Sequence, residues 1–286
     1  MKELNNTVKL LRFPFSVFLL PVTLFSFYYI QPDFGYRTWL LIGIWHLLVF
    51  PSSNGYNSYN DRDTGPIGIL ENPPSPTNML LNVCNGLDVL ALLGSFLVNA
   101  YFTVFVLIYI AASRLYSARK IRLKKFPITG FFIVFFFQGA WIFCGNVLAL
   151  SSPELLMQKT VLFSAIAASF FIGTVYPLTQ VYQHTADAED GVTTLSMVLG
   201  LKGTFIFSAL MFIMATLLLY LSFNQEGKPG HFWLFNLVML VSTLYFLCWS
   251  FLSFKNASHI NFRNVMIMLV LSAVSNNIYF LILLNK

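Results

Sequence analysis

The stretch "WLLIGIWHLLVFPSSNGYNSYNDRD", residues 39–63, decides the fold. Through Phe50 it is apolar enough for the interior of a bilayer; from there it carries Asn54, Asn57, Asn60, Asp61, Arg62 and Asp63. An ionised side chain placed in lipid costs roughly 3 kcal/mol on insertion scales unless a partner, an ion or water receives it. Polar residues at the end of such a helix therefore mark a functional site by default.

Working outward, the whole chain reads the same way. Of its 286 residues 57% are hydrophobic, 17% aromatic and 10% charged, against about 25% charged in soluble domains. Nine apolar runs, near 13–30, 38–56, 80–98, 101–116, 128–150, 160–182, 203–222, 232–253 and 265–284, approach the length of about 20 residues that a membrane helix needs. The connections are short. The expectation is an all-α integral membrane protein, a bundle of about nine transmembrane helices, with residues 1–286 forming a single domain. The first run opens on a lysine-bearing segment without a small-residue cleavage site, and it reads as a retained helix.

The net charge of +6 does not point to nucleic acid, because the basic residues are spread over loops on one side of the expected bundle. Alternating the loops leaves Arg37, Lys159, Lys228 and Lys286 on one side and the rest of the 17 basic residues on the other. The positive-inside rule then places the N-terminus in the cytoplasm and the C-terminus outside, in the plasma membrane of a bacterium. Cys84, Cys144 and Cys248 fall within apolar runs without a CxxC pair and read as buried packing residues.

A second span end is as polar as the first. In "YPLTQVYQHTADAEDGVTTLSMVLG", residues 176–200, Gln180, Gln183 and Asp187 are spaced i, i+3, i+7, as are Asn54, Asn57 and Asp61. That spacing sets each trio on one stripe of a helix, and both stripes fall on the same side of the membrane. Such a pseudo-repeat commonly houses a site between its halves. Asp63 follows the first stripe; Glu189 and Asp190 follow the second. Carboxylates and amides without converging His or Cys suit a hard cation such as Mg²⁺, which is usually shared with substrate phosphate.

On that same side, "SRLYSARKIRLKKFPITG" supplies Arg114, Arg119, Lys120, Arg122, Lys124 and Lys125, the residue types that bind phosphate oxygens. Metal-binding carboxylates and phosphate-binding bases at the mouth of an apolar bundle describe a molecule with an anionic head and a greasy tail. A prenyl diphosphate fits. Asp88, inside the third run, has no partner legible in the sequence, and His184 reads as a hydrogen-bonded neighbour of the second stripe.

In their order and spacing these fragments resemble the UbiA-type intramembrane prenyltransferases. "RFPFSVFLLPVTLF" is similar to the family's first helix, "NSYNDRDTG" to its first Asp-rich motif N-D-x-x-D-x-x-x-D, "ENPPSP" to the Pro-rich stretch after it, "LYSARKIRLKKFPITG" to its Tyr- and base-bearing loop, and "GVTTLSMVLG" to the close of its second Asp-rich motif. The resemblance implies transfer of a prenyl group from a prenyl diphosphate to a lipophilic acceptor, aromatic or a quinone precursor, with Mg²⁺. It implies Asp61 and Asp187 as catalytic residues. Asn57, Arg119, Lys120, Arg122, Lys124, Gln180 and Gln183 would hold the diphosphate, and Asn57, Asp61, Asp63, Asp187 and Asp190 the metal. This chain departs from the pattern at Ser58, Gly65 and Gln183, each standing where the family has Asp. Three alternatives therefore stand beside the transferase: a prenyl-diphosphate-binding protein without turnover, a terpene cyclase of the same fold, and a transporter.

Overall fold

The computed structural model describes residues 1–285, so Lys286 of the charge assignment lies outside the described residues. Helix α1 (Lys2–Leu11) leads through a 3₁₀ segment at Phe13–Phe18 into α2 (Leu20–Ile30), and the two halves meet at 44°. The causes are local: Arg12 takes a left-handed φ of 50°, and Pro14 and Pro21 each start a new helical segment with no N–H to offer the preceding turn. Then come α3 (Tyr36–Gly43), a π-helical turn at Ile44–Val49 and α4 (Phe50–Asp61), helical without a break. Next are α5 (Asn78–Phe96), α6 (Ala100–Ser117), and α7 (Pro127–Phe136), joined by a second π-helical turn to α8 (Ile142–Leu150). The short α9 (Pro153–Leu156), α10 (Lys159–Gln180), α11 (His184–Glu189), α12 (Leu195–Gln225), α13 (Pro229–Lys255) and α14 (Phe262–Leu284) complete the chain. Among the described residues the only β-pairing is one bridge between Ile67 and Leu70.

All nine apolar runs fall on helices. Among the described residues seven helical stretches, α7 and α8 counted as one, are long and apolar enough to cross a membrane, eight with the bent pair taken as one span. The run at 38–56 fails that test because its helix turns polar from Ser52 onward. Outward faces carry Leu237, Val241, Leu244 and Ile206, all exposed, as befits helices bathed in lipid. The interior is aromatic: Phe25 stacks on Phe280 with centroids 4.6 Å apart and meets Phe143 edge-on at 5.3 Å. Buried Trp45 donates to Asn146 Oδ1 at 2.9 Å, and Asn146 donates onward to Ser26 Oγ at 3.0 Å, tying α8 to α2. Since lipid is as apolar as these side chains, tight packing and internal hydrogen bonds hold the helices together.

Asp88 has a partner after all. Arg114 forms a two-nitrogen ion pair with its carboxylate, Ser52 donates to Oδ1 at 2.6 Å, and the guanidinium lies 3.9 Å from the centre of the Tyr56 ring. This ties α4, α5 and α6 together beneath the polar end. Of the cysteines, Cys84 is buried, Cys144 partly buried and Cys248 exposed on α13; the expectation that all three are buried holds only for Cys84, because an apolar run does not say which face meets lipid.

Candidate functional site

The first polar stripe is built as its spacing predicts. Helix α4 carries Asn54, Asn57 and Asp61 on one face, while Gly55 seats α4 against its neighbours: a Cβ there would lie 2.6 Å from Cys84 Sγ and 2.9 Å from Leu11. The helix stops at Arg62, whose left-handed φ of 55° lets its N–H cap the Ser58 carbonyl. The second stripe is not one helix. Helix α10 ends at Gln180, a turn intervenes, and α11 restarts at His184, with Gln183 N–H donating to the Gln180 carbonyl at 2.9 Å and Asp187 N–H to Gln183 at 2.8 Å. Pro177, inside α10, has no N–H to sustain the ladder there.

Broken or not, both trios reach the same place. Asn54, Asn57 and Asp61, with Gln180, Gln183 and Asp187, line one cavity of about 250 Å³, together with Asp63 and Lys124. The loop after α4 folds back over it, and Gln183 Nε2 holds that loop by donating to the Pro66 carbonyl at 2.9 Å. His184 keeps to a neighbouring hydroxyl, Ser196 Oγ, at 2.8 Å.

The cations come from the loop after α6. Lys124 Nζ meets Asp61 Oδ2 at 2.5 Å, where Asn57 Nδ2 also donates at 2.8 Å, and Arg122 reaches Asp61 Oδ1 at 3.3 Å. Arg122 pairs as well with Asp190, and Arg119 approaches the same carboxylate at 3.3 Å while donating to the carbonyls of Asn60 and Asp61. Arg122 holds this position with a left-handed φ of 51°, a conformation costing roughly 1 kcal/mol for a side chain of this kind; its two carboxylate partners offset that strain. Of the predicted phosphate-binding bases only Lys124 lines the cavity: Arg122 and Asp190 pair beside it, and Arg119 and Lys120 are exposed outside it.

Two carboxylates are left over. Asp63 and Asp187 line the cavity with no hydrogen bond or ion pair to their carboxylates among the described residues. Burial first lifts both above the usual carboxylate range: Asp63 with Asp61 adding to it in spite of Lys124 and Arg12, and Asp187, with Asp63 and Asp61 adding to it, to about 6 in spite of Lys124. Asp190 goes the other way, since its pairing with Arg122 outweighs the cost of burial. Gln180, 7% exposed, leaves its Oε1 without a donor, and Asn54 Nδ2 and Arg12 Nε are likewise unpartnered. Orphaned polar atoms around a concave site are what a ligand satisfies.

The oxygen donors fit a hard divalent cation better than any other metal. They do not close a cage: no group of three or more His, Cys, Asp and Glu among the described residues is arranged to hold a metal, and Asp61 and Asp190 are spent on ion pairs. Mg²⁺ that brings its own phosphate ligands requires no such cage.

Sequence reasoning missed Arg12, which lines the cavity and donates to the Asn54 carbonyl at 2.9 Å, and the hydroxyl pair Tyr116–Tyr176 at 2.6 Å. Arg12 read as a topological charge because nothing local signals that a bend turns it inward. Beside the polar cavity lies an apolar one, also about 250 Å³, among α2, α10, α12, α13 and α14. The two share Phe18, Ile172, Val175 and Leu269 as walls.

Comparison with known proteins gives the same architecture. Residues 18–274 match the UbiA prenyltransferase family. No curated protein matches the chain in sequence. Among solved structures, a UbiA homologue from Archaeoglobus fulgidus bound to GPP and Mg²⁺ is 16% identical, with 98% of this chain and 100% of that one covered and a TM-score of 0.69. An apo UbiA homologue from Aeropyrum pernix K1 is 13% identical over 95% of this chain and 98% of its own, with a TM-score of 0.72. A digeranylgeranylglyceryl phosphate synthase structure is 16% identical over 99% and 98%, with a TM-score of 0.64.

Proposed function

The chain belongs to the UbiA prenyltransferase family and is an integral, multi-pass membrane protein, and from that premise we propose that it transfers a prenyl group from a prenyl diphosphate to a lipophilic acceptor with Mg²⁺. The observation that carries the reading is the convergence of both amide-amide-carboxylate trios, with Lys124, on one cavity that adjoins an apolar one. The polar chamber suits the diphosphate and the apolar chamber the hydrocarbon. The exposed bases Arg62, Arg119, Lys120 and Lys125 stand at the polar end, which supports a cytoplasmic face for the site and a cytoplasmic N-terminus. Residues 1–286 act as one domain in this reading.

Asp63, Asp187 and the Gln180 oxygen would hold Mg²⁺ together with the substrate's phosphate oxygens. The metal supplies Lewis-acid stabilisation of the charge that develops on the departing diphosphate. Arg12, with an unpartnered Nε at the cavity wall, and Lys124 supply donors to the same oxygens; such donors act most strongly where water is excluded. Walls of Phe15, Phe18 and Phe137 keep water from an allylic cation once the diphosphate leaves. A lipophilic acceptor, aromatic or a quinone precursor in this reading, would reach the cation from the apolar side, past the walls that the two cavities share.

Purified protein given geranyl, farnesyl and geranylgeranyl diphosphates should release diphosphate only with Mg²⁺, and Asp187→Ala should lose that release by at least about a hundredfold, as for removal of one electrostatic stabiliser. Binding of the diphosphate without release, in the presence of a membrane-lipid extract, would instead mark a binding protein without turnover; Asp61's saturation by Lys124 and Arg122 is the observation that favours that second reading.

A further inference from the structure

We propose that the Lys124 ammonium is a built-in counter-ion that takes the place of a divalent cation on Asp61, leaving metal binding to Asp63 and Asp187. The inference rests on the metal-diphosphate reading above and specifies how this divergent site fulfils it.

Asp61 has no vacancy for a metal. Lys124 and Asn57 occupy one oxygen at 2.5 and 2.8 Å, Arg122 approaches the other at 3.3 Å, and the side chain is only 5% exposed. A divalent ion at this carboxylate would have to sit against two cations that are themselves nearly buried, Arg122 at 9% and Lys124 at 12%. Nor is Lys124 a surface lysine that happens to lean inward. Its backbone packs on α7 so closely that a Cβ on Gly130 would lie 3.2 Å from Lys124 Cα, and the 3₁₀ turn Leu123–Lys125 is launched by the left-handed Arg122. The backbone that carries the ammonium is therefore closely packed, and the Asp61 carboxylate receives the ammonium itself. Its field also reaches Asp63, Asp187 and Asp190, so it acts on both arms from one point, as a bridging cation does.

The opposite arm shows the matching change. Gln183, standing where the family motif resembled above has Asp, contributes no charge, and its NH₂ is committed to the Pro66 carbonyl. A site with a fixed ammonium on one arm and one carboxylate fewer on the other needs fewer divalent ions. What remains for metal is Asp63, Asp187 and the orphaned, buried oxygen of Gln180, a residue of the cavity wall.

The test counts bound Mn²⁺, as a spectroscopic substitute for Mg²⁺, on the full-length protein in detergent, by paramagnetic resonance with and without inorganic pyrophosphate. The unaltered chain should bind Mn²⁺ at a site that Asp187→Asn removes and Asp61→Asn leaves intact. Lys124→Gln should gain an additional Mn²⁺, and Lys124→Arg, which keeps the charge, should not. Loss of the bound ion in Asp61→Asn overturns the proposal even if Lys124→Gln fails to fold, as does a Lys124→Gln protein with an unchanged Mn²⁺ count. Pyrophosphate separates the two readings. If pyrophosphate is retained but Lys124→Gln gains nothing, the counter-ion role falls and the diphosphate site stands. If Lys124→Gln gains the ion while no variant retains pyrophosphate, the counter-ion role stands and the diphosphate site falls.

Discussion

The two arms of the site share a spacing and differ in everything else. On α4 the trio Asn54, Asn57 and Asp61 rides an unbroken helix and its carboxylate is saturated; across the cavity Gln180, Gln183 and Asp187 straddle a break, and their carboxylate has no partner. One arm is neutralised in advance by protein cations, and the other is left charged-or-protonated for something that arrives. The difference teaches that periodicity locates a stripe, whereas counter-charges decide which half of it is open to a ligand.

The largest effect should come from breaking the closed arm. Asp61→Ala leaves Lys124 nearly buried without its carboxylate, while Arg122 keeps Asp190, and removing one partner from a buried pair costs about 3–5 kcal/mol. A thermal melt in detergent should show a clear loss. Much of it should return in Asp61→Ala/Lys124→Met, since the cost lies in the stranded charge rather than in the absent contact. A double variant as unstable as the single one would show instead that Lys124 and Asp61 are not coupled.

Much of this arrangement was legible beforehand, and the reasons divide by physical type. The nine apolar runs all became helices because a lipid-embedded backbone has to satisfy its own hydrogen bonds, which leaves little choice of structure. Both trios reached one cavity because i, i+3, i+7 spacing is nearly preserved even across the short turn after Gln180. What spacing could not reveal was pairing. Asp88 finds Arg114, Asp61 finds Lys124, and Lys120, adjacent to equally basic neighbours, faces away. The first joins neighbouring helices far apart in sequence, and the second follows the left-handed Arg62 and Arg122, neither of them glycine; an arginine in that conformation leaves no mark in the sequence. Family membership came from the order of weak motifs; the departure at Gln183 acquired meaning only once its contact with the Pro66 carbonyl was known.

A smaller effect should come from the open arm, and in the opposite direction. The folded protein holds the Asp187 proton more tightly than the unfolded chain, with its pKa moving from 3.8 to about 6. Without metal, stability should therefore rise as pH falls through about 6 and reach its full gain below the unfolded value of 3.8; ionisation above about 6 removes it. Asp63, lifted for the same reasons, adds to the trend. Asp187→Asn should flatten this dependence and raise the metal-free melting temperature at neutral pH by a few degrees, on the order of the 2–4 °C per kcal/mol seen for chains of 150–250 residues. Melts of both proteins across the acidic range check it. A variant no more stable than the parent would mean that Asp187 has a hidden partner and that the arms are alike after all.

The smallest effect concerns why the open arm carries Gln183. A carboxylate accepts hydrogen bonds only, whereas the glutamine amide donates to the Pro66 carbonyl and so clasps the loop bearing Asp63 and Gly68 over the cavity. Gln183→Glu keeps the length of the side chain and reverses the polarity of that contact, placing an acceptor against an acceptor. The net loss should be about 1 kcal/mol, too little to unfold the bundle but enough to loosen a loop tied down by few such bonds. Hydrogen exchange of residues 63–70 should accelerate several-fold in Gln183→Glu while α4 and α10 stay protected. Unchanged exchange would leave the second arm without a reason for its glutamine, and an acceleration shared by α4 would mean that the two arms open together rather than independently.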